Sequence, residues 1–254
     1  MSTITSRRQR LGDRILRSLV ATLIVGAATI CPAAALAEGP SAALVNVDPT
    51  QPPFDAVGRV NNSVGGRCTG VLVRADIAVT AAHCLYNTRT ARFVRPQSVH
   101  FLLGFDRGSY RFHTVAASVT IASGYDPKGA APSLVDDWAI LHLAAPAPST
   151  IAPMAIADDR PGPRRVIAAG FARRRPEVLT ATPPCTTASE RQRGLIVSDC
   201  LVSQGLSGGP MIDAETFALV GLQVAIASRG AKPIALSVPV PPLAAEGEKA
   251  MEEE

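Results

Sequence analysis

The sequence predicts an all-β protein, a sandwich or barrel whose strand count suits two small barrels, and three observations carry that expectation. Short runs rich in Val, Ile, Leu and Thr recur along the chain, separated by Gly, Pro, Asn and Asp, which is the pattern of strands and turns. Strong helical periodicity is scarce. With 47% apolar and 18% charged residues, the chain has enough apolar side chain to bury a substantial core and reads as globular.

In chain order, residues 1–37 stand apart. Arg7, Arg8, Arg10, Arg14 and Arg17 precede an apolar run over 19–30, and small residues follow as far as Ala35-Leu36-Ala37. Basic, apolar and A-x-A-like segments in that order describe a secretory signal peptide cut after Ala37; the apolar run is short for a membrane span, which makes an uncleaved anchor the lesser alternative. Residues 38–53, with four prolines and little pattern, are expected to be a flexible segment or propeptide. Strands are expected over 56–60, 69–73, 78–81, 99–103, 111–121 and 139–143. A second set is expected over 165–169, 195–198, 209–213, 219–224 and 234–239. Between the two sets, 144–163 carries five prolines, which lack the N–H a ladder needs, so a domain boundary falls there. The layout is then a first barrel over 54–145, a linker over 146–162, a second barrel over 163–242 and an acidic tail over 243–254.

Charge and cysteine count exclude several functions. The leader holds five Arg and one Asp, the whole of the chain's formal +4, so the mature chain is about neutral and the basic pI gives no support for nucleic-acid binding. The run Arg173-Arg174-Arg175 reads as a solvated loop. Discarding Cys31 leaves four cysteines, and an even number in an exported chain favours two disulfides over metal sites. No C-x-x-C is present and the four histidines are scattered, so no metal or cofactor is expected. The protein is expected to be secreted or periplasmic, monomeric, and not inserted in a membrane once the leader is removed.

Three segments carry chemistry. In Gly205-Leu206-Ser207-Gly208-Gly209-Pro210 a serine flanked by glycines offers a hydroxyl on a tight turn, with backbone N–H groups free to converge on one point. Acyl transfer needs such donors where charge develops on the carbonyl oxygen. Val79-Thr80-Ala81-Ala82-His83-Cys84 is an apolar strand delivering a histidine beside a cysteine, with Cys68 sixteen residues earlier. Asp136-Asp137-Trp138-Ala139-Ile140-Leu141 sets two acids at the mouth of an apolar run. Singly, each segment has an ordinary structural explanation: a glycine hairpin, a structural histidine, a turn aspartate.

Together they resemble the chymotrypsin-like serine peptidase family, over about 54–240, with histidine, aspartate and serine motifs in that family's order. The likeness is to the bacterial trypsin-like and glutamyl-endopeptidase-like branch, in which D-W-A is common and a D-C pair such as Asp199-Cys200 precedes the serine turn. The resemblance implies two six-stranded antiparallel Greek-key barrels with the site in the cleft between them. It assigns Ser207 as nucleophile, His83 as general base, Asp137 rather than Asp136 as orienting acid, and the N–H groups of Gly205 and Ser207 as oxyanion donors. It also implies disulfides Cys68–Cys84 and Cys185–Cys200.

The chain departs from the digestive members, where an aspartate before the nucleophile pairs with a new N-terminus; here Leu206 stands in that place. Activation by N-terminal insertion is therefore not expected. By offset, the substrate pocket has its floor at Leu201 and its wall at Val224, Ala225 and Ile226. With no acid at the floor and no histidine in the wall, a small or medium apolar residue before the scissile bond is expected in polypeptide substrates. The rival reading is a catalytically silent homologue that uses the double barrel to bind a partner. His100, His113 and His142 read as structural or exposed, Trp138 as core, and Asp76, Asp106, Asp126 and Asp213 as turn residues.

Overall fold

A computed structural model describes residues 44–128, 133–160 and 162–240. The expected signal peptide and acidic tail lie outside the described residues. The strands begin with β1 (Val45–Asn46), β2 (Val57–Asn62), β3 (Arg67–Arg74) and β4 (Ile77–Thr80). A short hairpin of β5 (Tyr86–Asn87) and β6 (Arg92–Phe93) follows, then β7 (Val99–Leu103), β8 (Phe112–Ile121) and β9 (Ala139–Leu143). After the proline-rich stretch come β10 (Arg165–Gly170), β11 (Thr180–Ala181), β12 (Cys185–Thr186) and β13 (Ile196–Ser198). The last three are β14 (Pro210–Asp213), β15 (Leu219–Arg229) and β16 (Lys232–Pro239). The described helices are short 3-10 turns.

Six strands, in the order β2-β3-β4-β9-β8-β7, pair antiparallel around a closed barrel. Val99, Phe101 and Leu103 alternate along β7 with no solvent exposure, as the period of two demands of a strand with one face to the core. The Phe101 ring fills the space over Gly58, where an added Cβ would fall 2.2 Å from the ring. Leu141 of β9 lies on the same face, while its neighbour Ile140 is buried on the opposite one.

The second unit is a sheet running β1-β11-β10-β14-β15-β16-β13, with β12 also on β10. Thr187, the residue after β12, bridges to Ser198 at the end of β13. That contact completes a ring of six, β10-β14-β15-β16-β13-β12, so the second barrel closes through one bridge. The disulfide Cys185–Cys200 spans the same seam. In β15 the register against β16 shifts between Gln223 and Ala225, a bulge at Val224 of the kind found beside binding sites.

Two stretches differ from the sequence expectation. The described part of the segment expected to be flexible, 44–53, is tied down: β1 pairs with β11, and Arg111 reaches the Thr50 carbonyl at 3.2 Å. Its prolines had hidden a two-residue strand. The proline-rich stretch is a strap laid across both barrels. Ala147 N–H donates to Ala75 O at 2.7 Å and Met154 N–H to Leu72 O at 2.9 Å in the first, and Ala157 N–H donates to Leu219 O at 2.9 Å in the second. Its own Ile151 and Met154 are buried.

Candidate active site

His83 lies in a 3-10 turn (Ala82–Leu85) that begins two residues after β4, and Cys84 in the same turn is bonded to Cys68 on β3. The turn is thus fixed by the barrel on one side and by a covalent link on the other. Asp137 caps another 3-10 turn (Leu134–Asp136) just before β9, which pairs with β4. Pairing of β4 with β9 brings the two turns together at one barrel end. Asp137 Oδ2 accepts from the His83 ring at 2.7 Å, and Oδ1 accepts from the His83 backbone N–H at 2.9 Å. With Nδ1–H donated to the carboxylate, Nε2 is left as an acceptor. Asp136 makes no such contact and Asp137 is only 2% exposed, so the structure brings together His83 and Asp137. Tyr125 lies close by; burial first, then the Asp137 charge, pushes its phenol up to about 12.

Ser207 is placed by its backbone. Thr69 N–H on β3 donates to the Ser207 carbonyl at 2.9 Å, and Gly208 N–H donates to the Gln223 carbonyl on β15 at 2.7 Å. Thr69 also gives its hydroxyl to Gly205 O at 3.0 Å while accepting from Phe171 N–H, so one side chain stitches both barrels to the serine loop. Gly205 and Gly208 have φ of +99° and +75°, the left-handed region that glycine alone enters freely. A Cβ on Gly208 would sit 2.2 Å from Thr80 Oγ1, three residues before His83. That close approach sets the serine loop against the histidine turn, with Cys84 Sγ 3.8 Å from the Ser207 carbonyl oxygen. The N–H groups of Gly205 and Ser207 donate to no acceptor among the described residues. Leu206 between them is 1% exposed, held in an apolar cluster with Val166, Met211 and Ala235.

Ser207 faces two clefts. One, of about 260 Å³, is lined by Val202, Leu206, Val224, Ala225 and Ile226 as well as Ser207. Val224, Ala225 and Ile226, expected as the wall of a substrate pocket, line this cleft, whereas Leu201, expected as its floor, is 43% exposed and is not among its lining residues. Cys200 is buried, Leu201 after it is exposed, and Val202 takes the lining position. Gln223 also lines this cleft; its buried amide, like the Ser198 and Ser237 hydroxyls, has no hydrogen-bond partner among the described residues. Residue counting from Ser207 could not reveal that group. The other cleft, of about 550 Å³, contains His83, Ser207, Arg59, Arg67 and Arg173.

Cys68, His83 and Cys84 lie within metal-binding distance of one another, but the disulfide leaves neither sulfur as a thiolate ligand. His100 and His113 form a cross-strand pair at 2.8 Å, and His142 contacts Thr120, all away from Ser207. Asp213 accepts from two turn N–H groups and is buried beside Arg160 and Arg164.

The sequence profile of the trypsin-like peptidase domain matches residues 68–222, well over half of the chain. No curated protein matches at the sequence level. A solved structure of a Glu endopeptidase in complex with MPD superposes with a TM-score of 0.65, covering 77% of this chain and 91% of that one. Identity between the two is 18%, so this likeness speaks to the fold. Two antiparallel barrels, a histidine–aspartate pair on the first and a glycine-turned serine on the second agree with the matched profile: the chain belongs to the trypsin-like peptidase family.

Proposed function

We propose that the protein is an exported serine endopeptidase working through Ser207, His83 and Asp137. The observation that carries this reading is the Asp137 carboxylate, which takes the ring N–H and the backbone N–H of His83 together while Ser207 lines the same cleft as that ring. His83 Nε2 accepts the Ser207 proton as Oγ adds to the scissile carbonyl, and Asp137 holds the tautomer and balances the imidazolium. The oxyanion is met by the N–H groups of Gly205 and Ser207. Collapse breaks the C–N bond, His83 returns the proton to the leaving amine, and water then hydrolyses the acyl-enzyme by the same route.

The smaller cleft supports a small or medium apolar residue on the acyl side, since Val202, Leu206, Val224 and Ala225 offer it apolar surface. Among its lining residues there is no acid to bind Arg or Lys and no cation or histidine to bind Glu. Strict cleavage after Arg, Lys or Glu in a peptide-library digest would overturn that preference. The leader pattern and the two disulfides support an extracellular or periplasmic site of action.

Labelling the purified chain with a fluorophosphonate tests the reaction. An adduct at Ser207 that disappears in Ser207→Ala and is strongly slowed in His83→Ala is expected. A folded protein that forms no adduct would instead be a binding homologue.

A further inference from the structure

The larger cleft is cationic. Arg67 at the start of β3 and Arg173 after β10 are exposed on its rim, and Arg59 lies in its wall with a side chain only 6% exposed. No carboxylate is among the cleft's lining residues. Arg59 is held by Glu177 at 3.3 Å, Asn61 at 3.0 Å and the Phe105 ring at 4.3 Å, so its charge is partly answered. Arg173 donates to the neutral Gln204 side chain at 2.8 Å, and Arg67 has no anionic partner among the described residues. Burial, opposed by Glu177, lowers the Arg59 pKa, and repulsion from Arg67 adds to that lowering, which places the two guanidiniums within each other's field. Like charges gathered in a concave surface focus the field and raise the local concentration of anions.

Which end of a substrate lies here follows from proton transfer. The leaving amine must come within reach of His83, which has to protonate it, and His83 lines this cleft and not the smaller one. Resting on the peptidase reading above, we infer that the larger cleft is a subsite for a carboxylate on the leaving-group side of the scissile bond, held by Arg67 and Arg173. Guanidinium is suited to the task because its fork matches a carboxylate with two parallel bonds. The carboxylate comes either from an Asp or Glu side chain just after the scissile bond or from a nearby free chain end.

The test uses peptides with one acyl side and varied leaving-group residues, cleaved by the full chain at low salt. In the first arm the peptides are C-terminally amidated and carry Asp, Asn or Lys at each of the first two positions after the bond. In the second, peptides ending just past the bond are compared as free acid and amide. The expected result in at least one arm is a kcat/KM preference of about tenfold for the carboxylate over Lys or over the amide. It should fall toward unity in Arg67→Ala/Arg173→Ala, reverse in Arg67→Glu, and shrink in high salt. Each variant is judged by its own ratio, so a general loss of activity does not imitate the effect. Ratios near one in both arms, or a preference that survives the double substitution, would overturn the inference. Fluorophosphonate labelling needs no leaving-group segment. A labelled enzyme without charge preference removes only this inference, whereas an unlabelled one removes the peptidase reading and this inference with it.

Discussion

The two barrels hold their parts of the site by different means. The first closes by continuous pairing of six strands and presents side chains, His83 and Asp137, fixed to each other by hydrogen bonds and to the barrel by Cys68–Cys84. The second closes through a single bridge and presents a backbone: Ser207 is aimed by the torsions of Gly205 and Gly208 and by main-chain bonds to Thr69 and Gln223. Chemical deletions should therefore strike the first barrel's contribution, and added bulk the second's.

The largest effect should come from Asp137→Asn. It keeps the shape but offers a donor to Nδ1, favouring the wrong tautomer, and kcat for peptide hydrolysis should fall about 10³–10⁴-fold with little change in melting temperature. Retained turnover would mean that the pair is structural. Next is Gly208→Ala, where the new methyl meets Thr80 Oγ1 at 2.2 Å and the Thr69 carbonyl at 2.4 Å. A loss of about 3 kcal/mol in chemical denaturation is expected, together with loss of Ser207 labelling. Gly65 also has a positive φ, +84°, but open space around it, so Gly65→Ala should cost about 1 kcal/mol and leave labelling intact.

The two disulfides separate the barrels more finely. Their loops, 16 and 15 residues, are nearly equal, so removing either should cost about 3 kcal/mol by chain entropy. Only Cys68→Ser/Cys84→Ser should also lower kcat, because only that bridge carries the His83 turn. Smallest is the alkaline limb. Tyr125 keeps its proton in the folded state above its ordinary value of 10.0, up to about 12, while the unfolded chain releases it. Stability from this group is therefore full below 10.0 and lost as pH rises toward about 12. Ultraviolet titration of the three tyrosines should show one ionising late, and Tyr125→Phe should abolish that phase.

How much of this was legible follows from how local each signal is. Every strand of three or more residues lies under an apolar or alternating run visible in the sequence. The five two-residue strands, β1, β5, β6, β11 and β12, are not, because two residues hold no period. His83, Asp137 and Ser207 each sit in a short motif whose neighbours fix the geometry, so the sequence names them and the fold brings His83 and Asp137 into contact. Counting from the nucleophile could not show that, after the buried Cys200, Leu201 is exposed and Val202 lines the cleft. The arginine cleft was out of reach: pairing of β2 with β3 brings Arg59 near Arg67, but Arg173 joins them only when the two barrels meet. The same Arg173 run, read alone, is a solvated loop.

Leu206 has a consequence for when the serine loop takes shape. Its anchor is a side chain pressed into the apolar cluster of Val166, Met211 and Ala235, a contact with no titratable group and no new chain end in it. An anchor made by apolar burial should follow the temperature dependence of that burial, so the order of the serine loop should weaken on deep cooling.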